Sequence, residues 1–173
     1  MLARNYRKKG FVVACQDEAT FGLIPNIARG WARKGSKPIA SMNYQYQNTN
    51  VNGARTQRSF IFQFTKKKTQ RSFIQFLDAL RRHWNRVCLF VDNAPWHKGR
   101  MVDGFLEGHK KTFKLFYFPK YCPELNPVEP CWKPARRMLA NRLVRSVPVM
   151  KHHLRKVFGR QSLLPKMFHY LTD

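Results

Sequence analysis

Residues 87–97 read VCLFVDNAPWH. Val87 to Val91 form an unbroken apolar run, which suits a short buried strand, and the run stops at Asp92. Residues 73–84 before it and 98–109 after it both place apolar side chains at helical spacing. A helix, a buried strand and a second helix in succession predict an α/β fold whose sheet is at least partly parallel.

Other segments extend this pattern in both directions. Phe11–Cys15 predicts a buried strand, and residues 58–65 and 112–118 predict two more. Thr69 is placed to cap the helix that precedes the central strand. Residues 20–56 are polar and interrupted by glycines and prolines, so we expect short strands and turns there. Together these segments predict a mixed sheet flanked by helices.

The chain from about Asn126 to Phe158 is basic and predicted to be helical. Asn126 suits the N-cap, Pro127 the first helical position, and Glu129 the third position of a capping box. Pro134 lies a turn deeper, where a proline removes a backbone hydrogen bond and clashes with the preceding turn. We therefore predict a kink or break near Pro130–Pro134, with Glu129 on a short first turn.

The composition combines a large apolar fraction with a very high positive charge. Of the 173 residues, 43% are hydrophobic, so the chain can bury a core and is not a disordered basic tail. It has 33 Lys and Arg against 9 Asp and Glu, a formal net charge of +24. This excess predicts a polyanionic partner, with nucleic acid favoured over a membrane surface. No apolar run approaches the roughly 18 residues of a membrane span, so we expect no membrane insertion.

The four cysteines do not indicate a metal site. Cys15, Cys88, Cys122 and Cys131 form no C-x-x-C pair, and the chain has no H-E-x-x-H motif. Reduced structural thiols in a cytoplasmic protein are the expected interpretation.

The carboxylates are few enough to be weighed one by one. Asp17 follows the first predicted strand, and Asp92 follows Val87–Val91 directly. Functional groups collect beyond the carboxyl ends of strands in α/β sheets, so these two face each other if their strands are neighbours. Each alone could be an Asx-turn residue, but that interpretation is weaker for the pair. Glu129 is the third candidate, although it could simply accept the backbone N–H of Asn126.

Three segments carry a resemblance to a known family. The first is QDEA at 16–19, followed by WARKG at 31–35; the second is LFVDNAPWH at 89–97; the third is FPKYCPELNPVEPCW at 118–132. They resemble the catalytic domain of the mariner-type Asp-Asp-Glu transposases, in the bacterial insertion-sequence branch. The third segment, with its Pro-x-Tyr-x-Pro-x-Leu-Asn-Pro-x-Glu pattern, is the most specific.

The resemblance implies a ribonuclease H-like fold with Asp17, Asp92 and Glu129 as catalytic and metal-binding residues. It implies Mg²⁺, with Mn²⁺ as a substitute, and cleavage of transposon DNA ends followed by joining of the freed 3′-hydroxyl to target DNA. In-line phosphodiester displacement needs an activated attacking oxygen and a stabilised leaving oxygen, and two hard cations roughly 3.5–4 Å apart serve both. Mg²⁺ prefers oxygen ligands and retains waters, so a few carboxylates suffice to hold it.

Five further residues are candidates for contacts around this site. Glu18 is an auxiliary acid or a partner of a surface cation. Asn93 and His97 orient a ligand or touch phosphate, or they fix the loop after Asp92. Trp31, like Trp132, stacks on bases or belongs to the partial core. Asn126 starts the helix that carries Glu129.

The predicted organisation is a ribonuclease H-like catalytic domain at 1–145 and a basic helical extension at 146–173. The resemblance also implies an upstream helix-turn-helix domain, and because the motifs begin close to Met1 we expect that module to be separate or missing. The expected partners are transposon-end and target DNA and further copies of the chain, at the bacterial nucleoid. Two alternatives stay open: a catalytically inactive basic DNA-binding remnant, and another ribonuclease H-like nuclease.

Overall fold

The computed structural model describes residues 2–24, 26–37, 39, 41–119 and 126–160. Most of the predicted proline-rich loop after Pro119, with Cys122, lies outside these residues, as does the end of the predicted C-terminal extension. Among the described residues, no helix has the length and apolar character needed to cross a bilayer.

Five strands and five α-helices make up the described fold. The strands are β1 (Val12–Gly22), β2 (Asn48–Arg55), β3 (Phe60–Thr65), β4 (Val87–Val91) and β5 (Phe113–Tyr117). The helices are α1 (Leu2–Lys8), α2 (Gln70–Trp84), α3 (Arg100–Gly108), α4 (Trp132–Leu139) and α5 (Val147–Phe158). Short 3₁₀ turns occupy Pro95–His97 and Glu129–Cys131.

The strands form one mixed sheet in the order β3-β2-β1-β4-β5. β1, β2 and β3 pair in antiparallel fashion, whereas β1, β4 and β5 run parallel. The parallel half arises because α2 and α3 carry the chain back between successive strands, as the alternation of helical and apolar segments predicts. The predicted α/β class and the mixed, helix-flanked sheet are confirmed.

The two faces of the sheet bury separate cores. Ala14 and the apolar stripe of α2 pack on one face with α3, and the Thr69 cap closes the first turn of α2. On the other face, Cys15, Ala19 and Phe21 of β1 pack against α4 and α5. Side chains alternate between faces along a strand, so consecutive residues of β1 serve different cores.

The first strand is longer than the sequence predicts. We expect it to end at Cys15, but β1 continues to Gly22, so Asp17 lies inside the strand rather than after it. The reason is β2, whose Asn48–Arg55 pair with Cys15–Gly22 and keep the polar half of β1 extended. β2 has few apolar residues, yet Asn50, Asn52 and Arg55 are buried in it, and no apolar alternation marks it as a strand.

The C-terminal helices begin later and are shorter than predicted. The chain makes a 3₁₀ turn at Glu129–Cys131, α4 starts at Trp132 and ends at Leu139, and α5 starts at Val147. Pro134 therefore occupies the third position of α4, where its missing N–H costs no intrahelical bond. The predicted break near the two prolines is confirmed, as a change from 3₁₀ to α geometry.

The helix within the predicted extension packs into the core. Met150, Leu154, Val157 and Phe158 of α5 are buried in the same cluster as Trp132. Phe158 lies 5.6 Å from Trp132 and 6.1 Å from Phe21, measured between ring centroids.

Three cysteines are free and buried, as expected for structural thiols. Burial raises the pKa of Cys15, raises that of Cys88 to about 12, and raises that of Cys131 to about 11. Thiols that stay protonated at neutral pH are poor nucleophiles and poor metal ligands.

Replacing Phe158 by alanine tests whether α5 is integral to the fold. Phe158 is completely buried, so Phe158→Ala is expected to lower the free energy of unfolding by about 3–5 kcal/mol. Val149, on the same helix, is partly exposed, and Val149→Ala is the matched control with an expected change within about 0.5 kcal/mol. Urea unfolding measures both. Equal effects of the two substitutions would contradict the packing of α5.

Candidate functional site

Asp17 and Asp92 lie on neighbouring parallel strands. The register of β1 and β4 runs from Val12 opposite Val87 to Cys15 opposite Phe90. Continued by two residues, this register sets Asp17 beside Asp92, the residue that directly follows β4. The strand order therefore brings the two residues together, as predicted. Asp17 nevertheless lies within β1, because β1 continues beyond its parallel pairing with β4.

The Asp17 carboxylate is held by a buried tryptophan. Trp132 Nε1 donates a hydrogen bond to Asp17 Oδ2 at 2.8 Å, and the Trp132 side chain is almost fully buried. Burial raises the pKa of Asp17 to about 6, with the Trp132 hydrogen bond acting in the opposite direction. The negative charges of Asp92 and Glu129 also raise it. All three carboxylates thus share one electrostatic environment.

Asp92 is fixed by its own loop. Its Oδ1 accepts the backbone N–H of Ala94 at 3.1 Å and lies 2.8 Å from His97 Nδ1. Burial opposes ionisation, but the interactions with His97 outweigh it and lower the pKa of Asp92. About half of the Asp92 side chain is exposed, so the carboxylate remains accessible from solvent.

His97 lies between two carboxylates on the α2 side of the sheet. Its Nε2 is 3.5 Å from Glu18 Oε1, and its ring packs on Phe73 of α2 at 4.1 Å between centroids. Burial alone would lower its pKa, but Asp92 and Glu18 together raise it to about 9. His97 therefore supports Asp92 as a cation, which is the role we expect for an orienting residue.

Asn93 stabilises the same loop, the one that follows β4. Its Nδ2 donates to the carbonyl of Phe118 at 2.7 Å, and its Oδ1 accepts from Lys98 Nζ at 2.9 Å. Tyr117 Oη donates to the carbonyl of His97 at 2.9 Å. The turn after β4 is thus anchored to the end of β5, which supports the local interpretation of Asn93.

The segment that carries Glu129 is tied to β1. Asn126 Nδ2 donates to the carbonyl of Gln16 at 3.0 Å, and Asn126 Oδ1 accepts from the Val128 backbone N–H at 3.1 Å. Asn126 thus makes an Asx turn that also clamps β1, in place of the predicted N-cap at the start of an α-helix. Glu129 follows at the first residue of the 3₁₀ turn, with its side chain exposed.

Glu18 and Trp31 lie in different environments from the three carboxylates. The Glu18 side chain is buried on the opposite face from Asp17, 3.9 Å from Lys68 Nζ. Glu18 therefore contacts the site through His97 and also has a cationic partner, and its role as an auxiliary acid stays a prediction. Trp31 lies in the segment of chain that connects β1 to β2, and its side chain is fully exposed. This exposure excludes the partial-core interpretation.

Two residues of the site are missed by the sequence interpretation. Trp132 is assigned there to stacking or partial core, and Gly53 only to loop punctuation. Gly53 lies opposite Asp17 in the β1–β2 register, and a Cβ at Gly53 would lie 2.5 Å from the Trp132 ring and 2.7 Å from that of Phe60. The absence of a side chain at Gly53 lets Trp132 lie over the sheet and reach Asp17. The available sequence signal is that Trp132 follows Glu129 by three residues, about one turn of a 3₁₀ helix.

A divalent cation requires several oxygen ligands close together. In the part of the chain that the structure describes, no three His, Cys, Asp or Glu side chains are close enough to hold an ion as they stand. The chemistry nevertheless fits, because Asp17, Asp92 and Glu129 offer oxygen ligands, and because burial and, after it, repulsion by Asp92 and Glu129 raise the pKa of Asp17. A cation would relieve that repulsion once Glu129 turns inward.

Comparisons with known proteins agree with this arrangement. A family model described as "DDE superfamily endonuclease" matches residues 12–151. An insertion element IS630 uncharacterized 39 kDa protein from Shigella sonnei is 28% identical over 123 residues, which cover 68% of this chain and 36% of that protein. The chain therefore spans about a third of the length of this curated relative.

Solved structures share the fold. The Mos1 transposase paired-end complex with left transposon end has a TM-score of 0.68 at 22% identity, covering 92% of this chain and 52% of that one. The mariner Mos1 paired-end complex with Mg has a TM-score of 0.70 at 21% identity, covering 94% and 53%. These similarities confirm the predicted ribonuclease H-like fold.

Gly53→Ala tests the close packing that places Trp132 on Asp17. The added methyl group must displace the rings of Trp132 and Phe60, so the free energy of unfolding is expected to fall by about 1–3 kcal/mol. Gly104→Ala is the control, because nothing lies within 4 Å of a Cβ there and alanine favours the helix α3. Thermal and urea unfolding compare the two. An unchanged free energy of unfolding in Gly53→Ala would show that Trp132 does not pack against β2.

Proposed function

The chain belongs to the DDE superfamily endonuclease family, and from this premise we propose that it is the catalytic domain of a transposase. It cleaves DNA strands at transposon ends and joins the freed 3′-hydroxyl to target DNA. The observation that carries the proposal is the shared environment of Asp17, Asp92 and Glu129, in which two carboxylates come from adjacent parallel strands and the third from a segment clamped to β1.

Asp17, Asp92 and Glu129 are the proposed ligands of Mg²⁺, for which Mn²⁺ substitutes. When bound, the metal supplies the positive charge that activates the attacking oxygen and stabilises the leaving oxygen of the phosphodiester. Trp132 holds Asp17 through one carboxylate oxygen, and His97 holds Asp92 in the same way. The chain itself thereby restricts the rotation of two of the three ligands.

Several features support DNA as the substrate. Nine carboxylates cannot neutralise 33 Lys and Arg, which leaves the net charge of +24, and unpaired cations near a nuclease site favour phosphate contacts. The Mos1 structures with a similar fold contain a paired-end complex with a transposon end. By analogy, a paired-end complex of this chain holds two DNA ends and more than one copy of the protein.

We propose that recognition of the transposon ends belongs to a helix-turn-helix domain, either separate from the catalytic domain or upstream of it. We assign the catalytic domain to residues 1–145 and a basic extension to residues 146–173, of which helix α5 packs into the core. The proposal places the working complex at the bacterial nucleoid, where the DNA substrates are found.

Asp92→Ala is expected to abolish Mg²⁺- or Mn²⁺-dependent nicking of plasmid DNA while leaving the fold intact. The substitution removes a half-exposed ligand and keeps the core, so the circular dichroism spectrum and the DNA affinity should be unchanged. Asp103→Ala, an exposed carboxylate on α3, is the matched control and should nick as the wild type does. The readout is the rate of conversion of supercoiled to open-circular plasmid.

Nicking by Asp92→Ala at the wild-type rate would overturn the assignment of this residue. If the wild-type protein itself gave no metal-dependent nicking of plasmid or of oligonucleotides with its own transposon ends, the chain would instead be an inactive DNA-binding remnant. Preferential cleavage of RNA–DNA hybrids or junctions would indicate a different ribonuclease H-like nuclease.

A further inference from the structure

A second feature of the molecule is an open groove between α4 and α5. It has a volume of about 580 Å³ and lies on the face of the sheet to which Asp17 points. Pro134, Met138 and Val157 form an apolar part of its lining. The carboxylates discussed above do not take part in it.

The rest of the lining is cationic. The groove is bordered by five permanently charged side chains and a histidine: Lys133, Arg137, Arg142, Lys156, Arg160 and His153. No Asp or Glu lines it, and within the described ranges none of the five cations forms an ion pair. Other cations on the same helices are engaged elsewhere, since Lys151 and Arg155 lie over the Phe64 ring and Arg136 over that of Phe21.

The spacing of the cations concentrates their charge. Lys133 and Arg137 are four residues apart on α4, so they project from one side of that helix, while Lys156 on α5 and Arg160 just beyond its end border the same groove. Like charges at this spacing repel each other and destabilise a helix. An extended anion lying in the groove would offset this repulsion and contact the cations on both of its sides.

The groove leads to the candidate active site along one helix. Glu129 precedes Lys133 by four residues, and Trp132, the donor to Asp17, is adjacent to Lys133. A polyanion bound along the groove and continuing past the start of α4 would therefore reach the 3₁₀ turn where Glu129 lies. An acidic protein segment would neutralise these cations equally well, but it is not a substrate for the three carboxylates.

We propose that the groove between α4 and α5 is a dedicated binding site for the DNA backbone, which guides duplex DNA to the carboxylates. The inference rests on the proposed function for the identity of the polyanion. The groove contacts phosphates and sugars and reads no base edges, so its affinity is independent of sequence. The apolar lining packs against the sugars, while the cations on both sides of the groove bind phosphates.

The test compares two double variants of the full chain for binding to a fluorescent duplex at several salt concentrations, in EDTA. Lys133→Ala with Lys156→Ala removes one cation from each side of the groove. Lys110→Ala with Lys111→Ala removes the same charge from the turn between α3 and β5, at the opposite end of the parallel strands. Circular dichroism confirms that both variants are folded. Each lost phosphate contact should lower the slope of log affinity against log salt by about 1.

The expected result is that the groove variant loses about 2 from the salt slope and weakens equally for duplexes of unrelated sequence, whereas the control keeps the wild-type slope. Equal losses in the two variants, or none in the groove variant, would overturn the proposal. A groove variant that loses affinity for poly-glutamate more than for DNA would assign the groove to an acidic protein instead.

Because these measurements are made without metal, they are independent of the cleavage assay. Loss of cleavage in Asp92→Ala together with unchanged DNA binding in the groove variant would refute the groove alone. Cleavage by Asp92→Ala together with weakened DNA binding in the groove variant would refute only the catalytic assignment.

Discussion

The hydrogen bond from the Trp132 indole to Asp17 is the constraint on which the rest of the site depends. It joins the helix that follows Glu129 to the strand that carries the first carboxylate. The bond requires Gly53 on the neighbouring strand, because any side chain there would occupy the space of the Trp132 ring. It also requires the aromatic cluster of α5 and β3 that encloses the ring. A polar bond of this kind, made in a largely buried setting, stabilises one arrangement of the elements and few others.

The acidic residues on the two faces of the sheet have different electrostatic environments. On the α4 side, burial and the negative charges of Asp92 and Glu129 disfavour the charge on Asp17. On the α2 side, His97 and Lys68 approach Glu18, and His97 also approaches Asp92. A protein with so many cations could have neutralised Asp17 as well. That it leaves the carboxylates to repel one another supports a site prepared for an external cation, while the excess positive charge is available on the surface for the DNA.

Sequence reasoning predicts the parts of this fold that local patterns encode. β4 and Asp92 are found because an apolar run ends sharply, and α2 because its apolar stripe and its Thr69 cap coincide. The extent of β1 is missed because β2, its partner, is stabilised by buried asparagines and by pairing rather than by an apolar pattern. The roles of Gly53 and Trp132 depend on a contact between residues about 80 positions apart, which no local pattern contains. Pro134 shows the opposite case, since the chemistry of proline correctly predicts the break. Only the residue at which α4 begins could not be predicted from the sequence.

The central claim is that Asp17, Asp92 and Glu129 form one metal site, and the Trp132 indole offers a direct reporter of it. In a ¹⁵N-labelled protein, addition of Mn²⁺ should broaden the indole N–H signal of Trp132 at substoichiometric metal, because this proton is bonded to the proposed ligand Asp17. The indole signal of Trp84, at the far end of α2, should stay sharp at the same concentrations. Trp132→Phe assigns the signal, and Asp92→Ala should shift the broadening to much higher Mn²⁺. Equal broadening of Trp84 and Trp132, or no dependence on Asp92, would contradict a metal site formed by these carboxylates.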